Sequence, residues 1–298
     1  MIKVIVSDLD DTLLGSDHKI SKVNADTIKK AQDAGYRFIV ATGRQQTGAD
    51  SVLVPAHITC ECIVASGAEV NDAERNNLKR ICMTYEELEK VVEIESAYGM
   101  RLLFFTDQGD YMIGTEKEKD ELIVEEVAMF FLSKSVEEIR NSEYYKVRDE
   151  MIHRLERVTD FEKQKIEVYK IFVFSQDFER LKEAKKALEG IDFISTATAF
   201  INSIEITSIK AQKGPVLKEF IEERGYTMDE VMILGDSPND WSMFDMDFGA
   251  TVAVANGYEE IKDAAQYITK SNAENGVAYA IEKVMAGELE ELRNPKQK

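Results

Sequence analysis

Cysteine is scarce in this sequence. The three that occur, Cys60, Cys62 and Cys82, cannot all pair within one chain, so no disulfide framework is indicated and a reducing compartment fits. Cys60 and Cys62 alternate along an apolar run as core side chains do, and no second Cys or His pair lies nearby to complete a metal site. His18, His57 and His153 sit beside no other ligand-type cluster and are expected to be ordinary surface or core residues. No apolar run reaches the roughly 18 residues of a membrane span, and no signal-peptide pattern precedes the first strand. The expected location is the cytoplasm. Positive charge is also short: 37 Lys and Arg stand against 56 Asp and Glu, a net charge of −19. Such a surface repels the nucleic-acid backbone and anionic membranes, so neither is an expected partner. A small anionic substrate remains admissible if its site carries local positive charge. Much of the excess lies in EKEKDELIVEE (116–126), the pattern of a solvated helix face.

What is present is the material of a globular protein: 298 residues, 44% hydrophobic and 31% charged, a length at which a single core gives way to two domains. Short apolar runs, IKVIV (2–6), RFIVA (37–41), CIVA (62–65), VMIL (231–234) and TVAVA (251–255), alternate with helical patterns, as parallel strands buried on both faces do. Ser21 opens a helix with Val23, Ile28, Ala31 and Ala34 at helical spacing, ending before Gly35. A second follows Lys213 and Gly214, with Pro215 in its first turn and a stop at Gly225. The fold class is α/β, a doubly wound parallel sheet. Residues 84–202 differ. A T-x-x-E capping box at Thr84 and Glu87, a hairpin pattern from RLLFF to YMI, an acidic helical stretch, the strand VYKIFVF (168–174) and a helix over 177–189 indicate an inserted α+β domain. The expected organisation is a core domain of 1–83 and 203–298 interrupted by a cap of 84–202.

Three strands run into polar clusters: Asp8-Leu9-Asp10-Asp11-Thr12, Thr42-Gly43-Arg44, and Gly235-Asp236-Ser237-Pro238-Asn239-Asp240. C-terminal strand ends of a parallel sheet share one edge, and ligands bind where the strand order reverses, so these clusters are expected to converge. Asp8, Asp10 and Asp236 would repel one another unless a cation offsets them. Magnesium is the natural candidate, as it takes carboxylate oxygens, waters and substrate phosphate. An EF-hand loop starting at Asp8 fails, because Leu13 stands where glycine is needed and Lys19 where glutamate is needed.

D-x-D-x-T after one strand, T-G-R after the next, a lysine before a helix and G-D-x-x-N-D after a later strand resemble the haloacid dehalogenase superfamily, and more narrowly its Cof-type subgroup with an α/β cap. SIEITSIKAQKG (203–214) and SNAENGVAYAIE (271–282) extend the match on the core, while the cap matches only in position and general pattern. The resemblance implies a magnesium-dependent phosphatase of small phosphorylated metabolites, sugar or cofactor phosphates. Asp8 would attack phosphorus and form an aspartyl-phosphate; Asp10 would protonate the leaving oxygen and then activate water. Thr42, Gly43, Leu9 through its backbone, Lys213 and Asn239 would bind the phosphoryl group, and Asp8, the Asp10 carbonyl and Asp236 would hold Mg2+.

Around these, Asp240 would hold the motif loop or cap the helix at Trp241, itself a packing residue, and Arg44 would brace its loop or touch substrate, bracing being favoured. Asp11, where the family often has glycine, would serve the turn alone. Ser66 and Asn275 stand where N-G-A and D-G-V are common. Phe104, Phe105 and Tyr111 are cap residues for the core or the substrate. A phosphomutase of the same fold and a non-catalytic phosphometabolite sensor are the alternatives, and oligomeric state is open.

Overall fold

The computed structural model describes residues 1–130, 135–198 and 202–297; 131–134, at the end of the acidic helical stretch, lie outside the described residues. The chain forms two compact units, Met1–Arg80 with Ala211–Lys298, and Ile81–Lys210. Strands β1 (Val4–Ser7), β2 (Arg37–Ala41), β3 (Glu61–Val64), β4 (Glu69–Asn71) and β5 (Asn77–Arg80) open the first unit. Strands β6 (Leu102–Thr106), β7 (Gly109–Ile113), β8 (Ile152–Leu155), β9 (Val168–Phe174), β10 (Ile194–Ala197) and β11 (Ser203–Ser208) form the second. Strands β12 (Val231–Gly235), β13 (Ala250–Ala253) and β14 (Tyr267–Ile268) return to the first.

The first unit's sheet has the order β14-β13-β12-β1-β2-β3-β4-β5. It is parallel from β14 to β3 and antiparallel at β4 and β5. From β1 the chain steps outward through β2 and β3, then restarts on the other side at β12, so the strand order reverses at β1. That is the switch point at which such sheets bind ligands. Ser7 pairs with Leu234 and with Val40, which brings the C-terminal ends of β1, β2 and β12 to one edge.

The parallel strands β1, β2, β3, β12 and β13 are mainly apolar because both faces are covered. Ile5, Phe38, Val40, Met232, Leu234 and Val252 pack with Ile28 and Ala31 of helix Lys22–Asp33 and with Val277, Ala280 and Ile281 of helix Gly276–Ala286. Alternate residues Val4, Val6, Ile39, Ile63 and Ile233 are also fully buried, each worth about 1.5–3 kcal/mol relative to exposure. Cys60 and Cys62 belong to the same core. The Ser21 hydroxyl accepts from the Asn24 N–H at 3.0 Å and caps the first helix. Its buried face is Asn24, Thr27, Ile28 and Ala31, while Val23 is 52% exposed. The face is rotated from the apolar spacing because Asn24 turns inward to bond backbone groups. Helix Lys213–Glu222 starts at the lysine. Gly214 is obligatory there: a Cβ would lie 1.8 Å from the Ser242 carbonyl oxygen.

The second unit is a six-stranded sheet of order β10-β11-β9-β6-β7-β8. Thr84 and Glu87 form the reciprocal capping box of helix Tyr85–Ala97, and β6 and β7 form the hairpin with Phe104 opposite Tyr111. Phe104, Ile171, Val173, Ile204 and Ile206 pack with Leu88, Val91, Phe161 and Leu181; Leu103, Met112 and Phe174 pack with Leu122, Ile123, Val127 and Ile139. Phe104 and Tyr111 therefore contribute to a core, and Phe105 stacks beside Phe172. Strand β11 differs from the sequence reading, which began the second core segment at 203. Its residues pair with β9 and β10, so the inserted unit continues through Lys210. Across the pairing of β9 with β11, Lys170 and Glu205 form a buried ion pair at 2.6 Å.

Candidate active site

The chain leaves β1 at Asp8 and makes a wide turn over Leu9–Leu13, closed by the Leu14 N–H to the Leu9 carbonyl at 2.8 Å. Within it Asp10 is extended (φ −68°, ψ 131°) and Asp11 left-handed (φ 53°, ψ 4°). The Leu9 side chain is buried in the core. Asp8 is 2% exposed, and its Oδ1 accepts from Lys213 Nζ at 2.8 Å. The same ammonium donates to Asp240 Oδ1 at 2.7 Å and lies 3.5 Å from Asn239 Oδ1. Asp240 Oδ2 accepts the Asp236 and Ser237 N–H groups at 3.0 and 3.4 Å, folding the β12 loop about itself. Asp236 Oδ1 accepts from the Thr12 hydroxyl at 2.8 Å.

One oxygen each of Asp8, Asp236 and Asp240 lies within 4.8 Å of the others, and all three residues are buried. The sequence reading placed Asp10 in this acidic group; its third carboxylate is Asp240. The Asp10 carboxylate is instead held by Arg44, which donates through Nε to Oδ2 at 2.8 Å and through Nη2 to Oδ1 at 2.6 Å. Thr42, at the end of β2, is buried, and its hydroxyl accepts the Arg44 N–H at 3.2 Å. Gly43 lies between them.

Burial pushes the Asp8 carboxyl well above the usual range, opposed by Lys213 and reinforced by Asp240, Asp236 and Asp10. Asp236 is pushed up to about 8, first by burial and then by Asp240. Burial works against the charge on Lys213, but Asp240 and Asp8 more than offset it and its pKa is raised. Lys213 is charged, because Asp8 and Asp240 both accept from its ammonium. Three buried carboxyl groups then face one ammonium, with Asp8 and Asp240 paired to it and Asp236 left without a cation. An all-oxygen, anionic, partly preorganised donor set of this kind fits a hard divalent cation such as magnesium. Asp8 and Asp236 are the carboxylates suited to hold it, because Asp240 is already engaged by Lys213 and two amides.

Three asparagines grip the carbonyls of the turn after Asp8, a support the sequence motifs did not announce. Asn256 donates to the Asp11 carbonyl at 2.8 Å, Asn24 to that of Leu13 at 3.1 Å and Asn272 to that of Leu14 at 2.9 Å. Asn256 in turn accepts the Asn272 N–H at 2.8 Å. The N-G pair at Asn256-Gly257 and the SNAENG segment mark two of them, and no motif marks Asn24. Ser66 and Asn275 both occupy the left-handed region (φ 61° and 60°), the conformation that asparagine and glycine favour. Trp241 is 45% exposed rather than packed, and His18, His57 and His153 are exposed.

Buried aspartates and a lysine at the switch point of a doubly wound sheet have the chemistry suited to an anionic ligand and a divalent cation. The family model of haloacid dehalogenase-like hydrolases matches residues 5–281, and the chain belongs to that family, in its Cof-type subgroup, as a phosphoric monoester hydrolase. It is 29% identical over 292 residues to the 5-amino-6-(5-phospho-D-ribitylamino)uracil phosphatase YwtE of Bacillus subtilis, covering 96% of this chain and 99% of that protein. It is 27% identical to the phosphatase YwpJ of the same organism, covering 95% and 100%. Among solved structures, a haloacid dehalogenase-like hydrolase from B. subtilis superposes with a TM-score of 0.78 at 25% identity, over 94% of this chain and 99% of the other. The subclass IIB sugar phosphatase BT4131 shares the fold, with a TM-score of 0.71 at 20% identity over 95% and 99%. Among the described residues, no helix is long and apolar enough to cross a membrane.

Proposed function

We propose that the protein is a magnesium-dependent phosphatase of small phosphorylated metabolites that works through an aspartyl-phosphate on Asp8. The observation that carries this reading is the buried contact of Asp8 with Lys213, beside Asp236 and Asp240, at the end of β1. Lys213 aims the Asp8 carboxylate and neutralises charge that builds on the phosphoryl oxygens. An Asp8 oxygen forms the bond to phosphorus as the bond to the leaving oxygen breaks, and that oxygen takes a proton from Asp10. In the second half Asp10 takes a proton from the attacking water, the acyl-phosphate bond breaks, and Asp8 is regenerated with inorganic phosphate. Thr42, Gly43, Asn239 and the Leu9 backbone are assigned to the phosphoryl oxygens, and Asp8, the Asp10 carbonyl and Asp236 to Mg2+. When bound, the ion supplies charge neutralisation and in-line alignment of the phosphate.

The likeness to a phosphatase of a ribityl-pyrimidine phosphate supports sugar-alcohol and cofactor-precursor phosphates as the first substrates to try. Phosphate release from 4-nitrophenyl phosphate with magnesium tests the chemistry. Asp8→Asn is expected to lose at least about 10³-fold in kcat. An Asp8→Asn protein as active as the wild type would sink the mechanism.

A further inference from the structure

Arg44 is anchored more firmly than a lone surface ion pair requires. Its fork takes both oxygens of Asp10, although the Asp10 side chain is 49% exposed, and such a pair adds only about 0–1 kcal/mol to stability. Yet four further features fix the arginine. Its N–H donates to Thr42 Oγ1, and its carbonyl accepts the Ala65 N–H at 2.7 Å. Its Nη1 donates to the Gly48 carbonyl at 3.1 Å, and its stem lies over Gly48, where a Cβ would already sit 3.4 Å from Arg44 Cβ. The arginine is thus held by groups other than Asp10, and its fork restricts the rotation that a half-exposed aspartate otherwise keeps.

We propose that Arg44 is the positioning residue for Asp10 in the proposed phosphatase reaction, an inference that rests on that reading. Proton transfer to the leaving oxygen demands placement, since a displacement of about 1 Å can cost roughly 10²-fold. Arg44 supplies that placement through Asp10, and the effect is largest where the leaving group most needs a proton. As the Asp8 oxygen bonds to phosphorus and the ester bond breaks, a nitrophenolate departs unaided, whereas a phenolate relies on the proton of Asp10.

The test compares kcat/KM of the full-length wild type, Arg44→Ala and Arg44→Lys with magnesium on 4-nitrophenyl phosphate and on phenyl phosphate. This parameter ends at formation of the aspartyl-phosphate and therefore senses the leaving group. Arg44→Ala is expected to lose no more than about threefold on the nitrophenyl ester and about 30-fold or more on the phenyl ester, within the range of general acid catalysis. Arg44→Lys, charged but unable to fork, falls between, and it keeps the comparison available if the alanine variant does not fold. Adding Arg44→Ala to Asp10→Asn is expected to cost nothing further. Equal losses on the two esters, no loss on either, or additivity with Asp10→Asn overturns the role of Arg44 while leaving the phosphatase reading intact. A wild type inactive on both esters overturns the phosphatase reading and the role of Arg44 together.

Discussion

Asp11 occupies a backbone conformation that costs most residues about 1 kcal/mol, at the one position in the first motif where the family often carries glycine. Its side chain is exposed, and the turn is held through its carbonyl by Asn256. Asp11→Gly relieves the left-handed strain and preserves that hydrogen bond. Phosphatase activity is expected to stay within about threefold of wild type, since catalysis rests on other groups; a loss like that of Asp8→Asn would make Asp11 a working carboxylate. At this scale the sequence was informative where function depends on residue spacing. Asp8, Asp236 and Lys213 stood out because each follows a strand or opens a helix. Asn24, Asn256 and Asn272 did not, because their acceptors lie 11, 245 and 258 residues away along the chain. The fork between Arg44 and Asp10 was hidden for the same reason, and Asp240 took the place given to Asp10 because only the folded loop turns its carboxylate toward Lys213.

Among the elements, helix Tyr85–Ala97 carries an anomaly. Glu95 in its last turn is fully buried, and neither carboxylate oxygen has a hydrogen-bond partner among the described residues. Burial raises its pKa from 4.5 to about 7. The folded state therefore holds a proton that the unfolded chain releases earlier. Stability from this group is complete below about 4.5 and is lost as pH rises to about 7, in total roughly 3 kcal/mol. Glu95→Gln removes the titration. The melting temperature of the variant, measured against wild type from about pH 5 to about pH 8, is expected to gain up to about pH 7 and then level off; a constant difference would mean that Glu95 finds a partner in solution. Element types were legible from apolar runs and caps, as with Ser21, Thr84 and the hairpin of β6 and β7. Membership of a sheet was not. SIEITS reads as a buried strand in either unit, and only its pairing with β9 assigns it to the inserted one.

For the whole molecule, a net charge of −19 repels an anionic substrate, and Lys213 is already shared between two carboxylates. In the proposed reaction a bound cation would supply much of the charge that attracts and holds phosphate. Magnesium at millimolar concentration is expected to raise the melting temperature of the protein, as any ligand that binds only the folded state does. Chelation should reverse the shift and Asp236→Asn should shrink it; an equal shift in that variant would remove Asp236 from the site.

The three asparagines also set a clock. Asp8, the nucleophile of the proposed reaction, leads into a turn that ends at Leu14, and the side chain that holds the Leu14 carbonyl is 258 residues further along the chain. At about 5–20 residues per second, synthesis takes on the order of 10–50 s to travel from one to the other. Until that interval closes the growing chain displays Asp8 without the complete set of Lys213, Asp236 and the asparagine clamp, so in the proposed reaction the ability to attack phosphate esters would wait for the synthesis of Asn272.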